Sequence, residues 1–534
     1  MGRFLVTFIF CLLFFSKFIS CVFSTYYLQK TDSLHLKSTL NLCLRSEPLT
    51  LDPRKNSDGV TAQFLMFLYE GLTEIGEDKT LKLALASAID ADEDFKEYTI
   101  HLKEVYFSNG QRITAEDFKR SWLEILKPSF GAYNPDYFFN IKNAQAIYQN
   151  KKKEEDFGVA IITSSSFKVS LEKPDPFFSE LLSNKLFFPV HPSINQKLAN
   201  KSSYVFPGSF YIKSWKPQDK IELLPNLFHR KQEASRLDHI DFCILEEEHL
   251  QFDLFEKGKL DWIGAPFSVL SLDAMSYIHT HPCLKMYSTP SLYHVTLNTK
   301  QYPLTHPKIR KALALCLERN SLVKDVLGGD EKPAFSLLPP QLHALHKNYF
   351  NDRDTLLAKR LLEEGLSELN LTLETFPKIT LKYPALQFSH VIAQALQQQW
   401  LSNLGLYIAL QSMPWHGFLA DVNAKNYQMA ALGKGTHILD PYYFLQHYKT
   451  RQQPMNRCGY ENFAFSMLLD RAAEEKDRQK RAIFLNEAEA LFMEDMPIIP
   501  LFFQKNYCLV NKKLKNFQIS PLGEVKLNAS YFDN

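Results

Sequence analysis

Glycine is scarce in this chain of 534 residues, 19 against 27 prolines and 42 phenylalanines, which excludes collagen-like and linker-like sequence and disfavours a glycine-rich phosphate loop. Neither sign of charge is in excess. With 61 Lys and Arg against 59 Asp and Glu, no long-range field selects nucleic acid or an acidic partner, so recognition must be local. After the first residues no run approaches ~18 consecutive apolar positions, so no later span is expected and the remainder is expected to be soluble. Catalytic signatures are missing too: there is no G-x-S-x-G, H-E-x-x-H, G-x-x-x-x-G-K-[ST] or G-x-G-x-x-G. Without a nucleotide loop, any driven process the chain serves must draw its energy from another protein. Ser165 and Lys168 fit S-x-x-K inside a serine run but lack a K-T-G companion, a chance match. His279 with His281, and His343 with His346, have no third ligand nearby in sequence and read as surface pairs rather than a metal site. No cofactor is implied.

The eight cysteines show no CxxC or other short spacing. Cys11 and Cys21 fall in the N-terminal segment. Cys43, Cys243, Cys283, Cys316, Cys458 and Cys508 are scattered, so disulfides are permitted in an exported chain but spacing cannot pair them; most read as buried thiols.

At about 150 residues per domain the length suggests three to four domains or one multi-lobed body, and 45% hydrophobic with 22% charged residues is globular. Arg3 precedes the apolar stretch Phe4 to Phe15, whose only polar side chain is Thr7, and Ser16 and Lys17 follow. That is the pattern of an export leader over residues 1–23, and Phe-Ile-Ser-Cys21 resembles an imperfect lipobox that would acylate Cys21. An uncleaved anchor running to Phe23 is the alternative, which Lys17 makes costly.

Tyr98, Ile100 and Leu102 alternate with polar residues as a half-buried strand, Asn109-Gly110 supplies a turn, and Thr114 with Asp117 forms a capping box. Phe118, Trp122, Ile125 and Leu126 then form one apolar helical stripe. Residues 208–215 and 219–224 read as a hairpin, Ile240 to Ile244 as a further strand, Leu250 to Lys257 as a helix ended by Gly258, and Leu260 to Ile263 as a return to the sheet. Pro307 opens a helix with Ile309, Ala312, Leu313, Cys316 and Leu317 on one face. Leu356 to Glu364 forms another, stopped by Gly365. Ile379–Tyr383, a helix from Phe388 to Leu404 closed by Gly405, and Leu406–Leu410 make a β-α-β unit, so the two strands lie parallel. A helical block from Ala464 to Met493 precedes a strand to Val510, and the Lys151–Asp156 charge run reads as a solvated face. Trp122, Trp215 and Trp400 are assigned to core. The alternation throughout predicts an α/β fold.

Several stretches together resemble the family-5 extracellular solute-binding proteins, the peptide receptors of ABC importers. The strongest is YTIHLKEVYFSNGQRITAEDFKRSW from Tyr98 to Trp122, with Leu49–Pro53, Tyr69–Thr73, GSFYIKSWKPQDKIEL, KGKLDWIG, HPKIRKALALCLERNSLV and Asp495–Pro500 in order. The resemblance implies a two-lobed clamshell (class II periplasmic-binding-protein fold) with an additional inserted domain. One lobe would use 36–63, 190–288 and 500–534, the insertion 64–189, and the other lobe 289–499. It implies a non-enzymatic, exported monomer in the periplasm or at the outer face of the cytoplasmic membrane, capturing oligopeptides for ABC permease subunits with separate ATPase subunits. No nucleic-acid partner is implied, and membrane attachment would be only through the leader or its lipid. Alternatives are the same fold holding a murein tripeptide, dipeptide, haem, metal chelate or oligosaccharide, or a periplasmic chaperone or hydrolase.

The ligand residues that the resemblance implies are Glu47, just before L-x-L-D-P, Trp415, a pocket aromatic, and the stretch Gly433 to Pro441, which matches W-x-x-D-Y-x-x-P. There His437 stands where the ammonium-binding Asp is usual, Asp440 keeps a carboxylate beside the Pro, and Lys434 replaces a common aromatic. Lys434 and His437 would suit a ligand with an additional carboxylate.

Overall fold

The computed structural model describes residues 38–533 apart from 57, 197–199, 231–236, 272–274, 343–346 and 437. The leader at 1–23 with Cys11 and Cys21, the pair His343 and His346, and His437 lie outside the described residues. Among those described, no helix is long and apolar enough to cross a membrane.

The first body begins with β1 (Thr39–Leu44) and α1 (Gly59–Leu68). Next comes a separate four-stranded sheet of β2 (Ala86–Ala91), β3 (Glu97–Leu102), β4 (Val159–Thr163) and β5 (Ser166–Ser170), in the order β2-β3-β5-β4. Against it lies α2 (Ala115–Ile125), whose first turn is tied down where Asp117 accepts the Thr114 N–H at 2.9 Å. The stripe on α2 does what its spacing predicts: Phe118 and Trp122 are fully buried with Phe138, Phe167 and Phe187 in one aromatic core.

The chain then returns to the first body with β6 (Phe210–Lys216), β7 (Lys220–Pro225), β8 (His239–Ile244) and β9 (Trp262–Gly264). Two long strands follow at opposite ends of the remaining sequence, β10 (Leu284–Leu297) and, last, Ile498–Val510. Between them lie α3 (Pro307–Leu315), α4 (Thr355–Glu368), β11 (Ile379–Pro384), α5 (Gln387–Leu404), β12 (Ile408–Met413), α6 (Trp415–Asn423), β13 (Met429–Gly435), α7 (Pro441–Leu445), α8 (Phe463–Glu474) and α9 (Arg478–Asp495). The final strand is β14 (Ile498–Val510).

Among the described residues one eleven-stranded sheet runs β12-β11-β13-β10-β14-β9-β1-β8-β7-β6, with Lys332–Pro333 beside β14. Among the described residues its halves are joined through β10 and β14. One end of β14 pairs with β9 (Trp262↔Val510) and packs Val510 into the core of Phe64, Phe242 and Trp262; the other end packs Ile498 and Phe502 into the core shared by α3, α4, α5, α7, α8 and α9. The β10–β14 register slips between Ser288 and Leu292, where Pro290, lacking an N–H, breaks the ladder and bends it.

Several sequence readings need correction. Gly365 does not stop its helix: α4 continues to Glu368, and a Cβ at Gly365 would stand 2.9 Å from Ile309 Cδ1, so this glycine lets α4 approach α3. Gly258 and Gly405, by contrast, take the left-handed backbone expected of helix ends, φ +67° and +70°. The block from Ala464 to Met493 is two helices, because Asp477 caps α9 by accepting the N–H groups of Gln479 and Lys480. β12 starts at Ile408 rather than Leu406 and pairs in parallel with β11.

Candidate functional site

β13 has the sequence Met-Ala-Ala-Leu-Gly-Lys-Gly and two unlike edges. On one side it pairs with β10 from Leu297↔Met429 to Ser291↔Gly435. On the other, β11 accompanies it only at Met429 and Ala430. Among the described residues, then, the edge from Ala431 to Gly435 has no strand beside it, at the level where β10 and β14 change register. Such an edge offers backbone N–H and C=O groups to an extended chain. Gly433 and Gly435 are exposed, and a Cβ at Gly433 would stand 2.8 Å from Gln504 Oε1, which Ser291 Oγ holds at 2.5 Å.

Lys434, between these glycines, turns its side chain inward and is buried. Among the described residues its ammonium has no hydrogen-bond partner, and it sits over the rings of Tyr448 at 4.1 Å and Phe444 at 4.8 Å. Burial, reinforced by the positive charge of Arg457, pushes Lys434 down to about 7. Around it, burial and then Lys434 push His294 down to about 3 and His447 well below the usual histidine range, so both imidazoles are neutral at pH 7. The Nδ1 atoms of both also lack partners. His447 Nε2 lies 3.2 Å from the Tyr137 hydroxyl, which belongs to the body built on β2 to β5, so this pocket sits where two bodies meet. Nearby, Tyr443 donates to Asp175 Oδ2 at 3.0 Å and the Tyr133 hydroxyl lies 3.3 Å from Met455 Sδ. Ile438 and Tyr443 share the core of Phe118 and Trp122.

Asp440 has a different occupation from the one expected of a carboxylate waiting for a ligand. It caps α7, accepting the Tyr442 N–H at 2.8 Å, and both oxygens hold Arg481, at 2.8 Å from Nη1 and 3.0 Å from Nη2. Arg481 also donates Nε to the Ala472 carbonyl and lies 4.0 Å from the Phe177 ring centre. Burial alone would lower Arg481, but the Asp440 charge outweighs it and raises it. Asp440 is a buried brace between α7 and α9, not open to a ligand ammonium in this arrangement.

Glu47 follows β1 and accepts from Trp215 Nε1 and, at 2.8 Å, from Gln218 Nε2. Trp215, assigned to core from sequence, is only half-buried, because it lies at the end of β6 with Lys201 Nζ 3.5 Å above its ring. Trp415 opens α6 and is 40% exposed, its ring 6.1 Å from Phe418. Among the described residues no hydrogen bond or ion pair joins Glu47, Trp415, Lys434 and Asp440 to one another. His294, His447, Arg457 and Arg481 were not picked out from sequence. A histidine within the apolar run Leu292–Leu297 was the one available signal; Arg481 lies 41 positions from Asp440 with no local mark.

The other sequence candidates are occupied elsewhere. Lys168 pairs with Glu97, His279 Nε2 lies 3.2 Å from the Gly328 carbonyl, and His281 pairs with Glu256 at 3.0 Å. Among the described residues no group of three metal-ligating side chains occurs, and the six cysteines from Cys43 to Cys508 are free thiols.

Residues 80–456 match the bacterial extracellular solute-binding proteins, family 5 (middle region). The chain is 31% identical over 510 residues to the oligopeptide-binding protein OppA of Bacillus subtilis, covering 93% of each chain. A periplasmic oligopeptide-binding protein of Borrelia burgdorferi has a crystal structure that superposes with a TM-score of 0.84 at 25% identity, over 93% of this chain and 100% of that one. The murein tripeptide binding protein MppA of Escherichia coli, at 24% identity, superposes at 0.84 over 93% of this chain and 98% of that one. Its unliganded open form reaches only 0.70, over 93% and 97%.

Proposed function

Because the chain belongs to the bacterial extracellular solute-binding proteins of family 5, we propose that it captures an oligopeptide between its two lobes and delivers it to membrane permease subunits powered by separate ATPase subunits. The observation that carries this reading is the edge of β13 that, among the described residues, is unpaired, close to the two strands β10 and β14 that join the halves of the main sheet. An extended peptide laid there pairs its amides with the edge, and since an unpaired buried amide costs about 1–3 kcal/mol, affinity comes from a feature every peptide shares. On this reading one lobe comprises 36–63, 190–288 and 500–534, the other 289–499, with 64–189 inserted, and the interrupted ladder at 289–291 is the hinge. Export by the leader places the protein outside the cytoplasmic membrane as a monomer, and it performs no reaction of its own.

Titration calorimetry against peptides of two to eight residues, with small-angle scattering of the same samples, tests the reading. One peptide per chain should bind, with a smaller radius of gyration when bound. Absence of heat and of compaction across the whole panel would overturn it.

A further inference from the structure

We propose that the buried pocket around Lys434 is an anion subsite of the cleft, taking a carboxylate carried by the bound peptide. The proposal rests on the oligopeptide reading and narrows its substrate class.

The argument starts from how this chain treats its other buried cations. Arg54 is held by Asp52 and Glu124, Arg481 by Asp440, and Arg319 by Asp352 and three carbonyls. Arg310 donates to the carbonyls of Leu304, Thr305 and Asp495, and Lys185 to Asn56 Oδ1 at 2.8 Å. Among the described residues, Lys434 alone of these has an ammonium left without an acceptor. The Tyr448 and Phe444 rings compensate by about 2 kcal/mol at best, less than the several kcal/mol that burying an unpaired ammonium costs.

Of the groups facing it, Arg457 makes the deficit worse by its positive charge. His294 comes from β10, His447 and Tyr448 from the turn after α7, and Arg457 and Cys458 from the loop before α8. None is a carboxylate, and burial pushes the Cys458 thiol up to about 11, so it stays neutral. Gln446 Nε2, on the same turn as His447, is a further buried donor without a partner. A surplus of donors calls for a group that accepts several at once, which among peptide groups is a carboxylate. The place fits, because the backbone of Lys434 belongs to the open edge of β13. A peptide on that edge passes its side chains or its C-terminus beside the pocket.

Calorimetry on the full chain and on Lys434→Met should use tetra-alanine, its four single-Glu variants, and the C-terminally amidated form of each. The wild type should bind at least one carboxylate-bearing peptide ten times more tightly than its neutral counterpart, and Lys434→Met should lose that preference while still binding tetra-alanine. Preference that survives amidation assigns the subsite to a side chain; preference abolished by amidation assigns it to the C-terminus. Peptide binding without preference for a carboxylate, or an unchanged preference in the variant, would each overturn the subsite alone. Failure of every peptide to bind would overturn the oligopeptide reading and the subsite with it.

Discussion

Lys434 and Asp440, the latter paired with Arg481 from α9, sit six residues apart on one segment, are comparably buried, and have opposite electrostatic circumstances. The pair is bidentate, capped and stacked on an aromatic ring. The lysine has rings beside it and a like charge, Arg457, acting on it. A buried charge completed by its own chain stabilises an arrangement, whereas one left incomplete marks a position where something else completes it. The resemblance to the family placed both residues in the ligand site, and it is their satisfaction, not their position in the motif, that separates them.

The sharpest way to break this comparison is Asp440→Ala. It would leave the Arg481 guanidinium buried without its carboxylate and remove the α7 cap, a loss of about 3–5 kcal/mol measured by urea unfolding. Combining Asp440→Leu with Arg481→Met should recover most of that loss, since a buried pair replaced by apolar groups is often neutral. A variant that keeps its stability but loses peptide affinity would move Asp440 to the side of Lys434.

Lys434→Met should act in the opposite direction and depend on pH. In the folded chain Lys434 lies at about 7, against 10.5 for an exposed lysine. Between those values the unfolded chain holds a proton that the folded chain does not, so wild-type stability gains about 1.4 kcal/mol per pH unit from this group as pH rises. The penalty is fully present below about pH 7 and gone above about 10.5. Unfolding curves at pH 6 and pH 9 should show the variant more stable than wild type at pH 6, with the difference shrinking at pH 9. A constant difference would mean that Lys434 is as well solvated as any surface lysine.

Local patterns were legible in the sequence where the physics is local. Thr114 and Asp117 announced the start of α2, Phe118 and Trp122 its buried face, and Gly258 and Gly405 the ends of their helices. Gly365 looks the same in the sequence, but its reason is Ile309, more than fifty positions away, so it was misread as a stop. Trp215 failed for the same cause: its strand was recognised, but its neighbours Glu47 and Lys201 come from elsewhere in the chain. In the candidate site, Gly433, Lys434 and Asp440 were reached only through resemblance to a family. Nothing in the sequence says that Arg481 returns to Asp440 or that no carboxylate returns to Lys434, because pairing across 41 positions is set by the packing of α9 on α7.

The smallest expected effect concerns the wall of the pocket. Tyr137 comes from the body of β2 to β5, and its hydroxyl meets His447 Nε2, on the turn after α7, at 3.2 Å, so the bond exists only while the two are together. The imidazole is neutral, so the bond is an ordinary one worth about 1 kcal/mol. Tyr137→Phe should therefore weaken peptide binding about fivefold by disfavouring the closed arrangement, a shift read by calorimetry. The Tyr137 ring also packs against Tyr443, at 6.0 Å between ring centres, and that contact survives the substitution, so the unfolding midpoint without ligand should barely move. A loss in unliganded stability with unchanged affinity would show that these bodies stay together whether or not a peptide is bound. The pocket around Lys434 would then be a permanent interior, and its missing anion would have to come from within the chain.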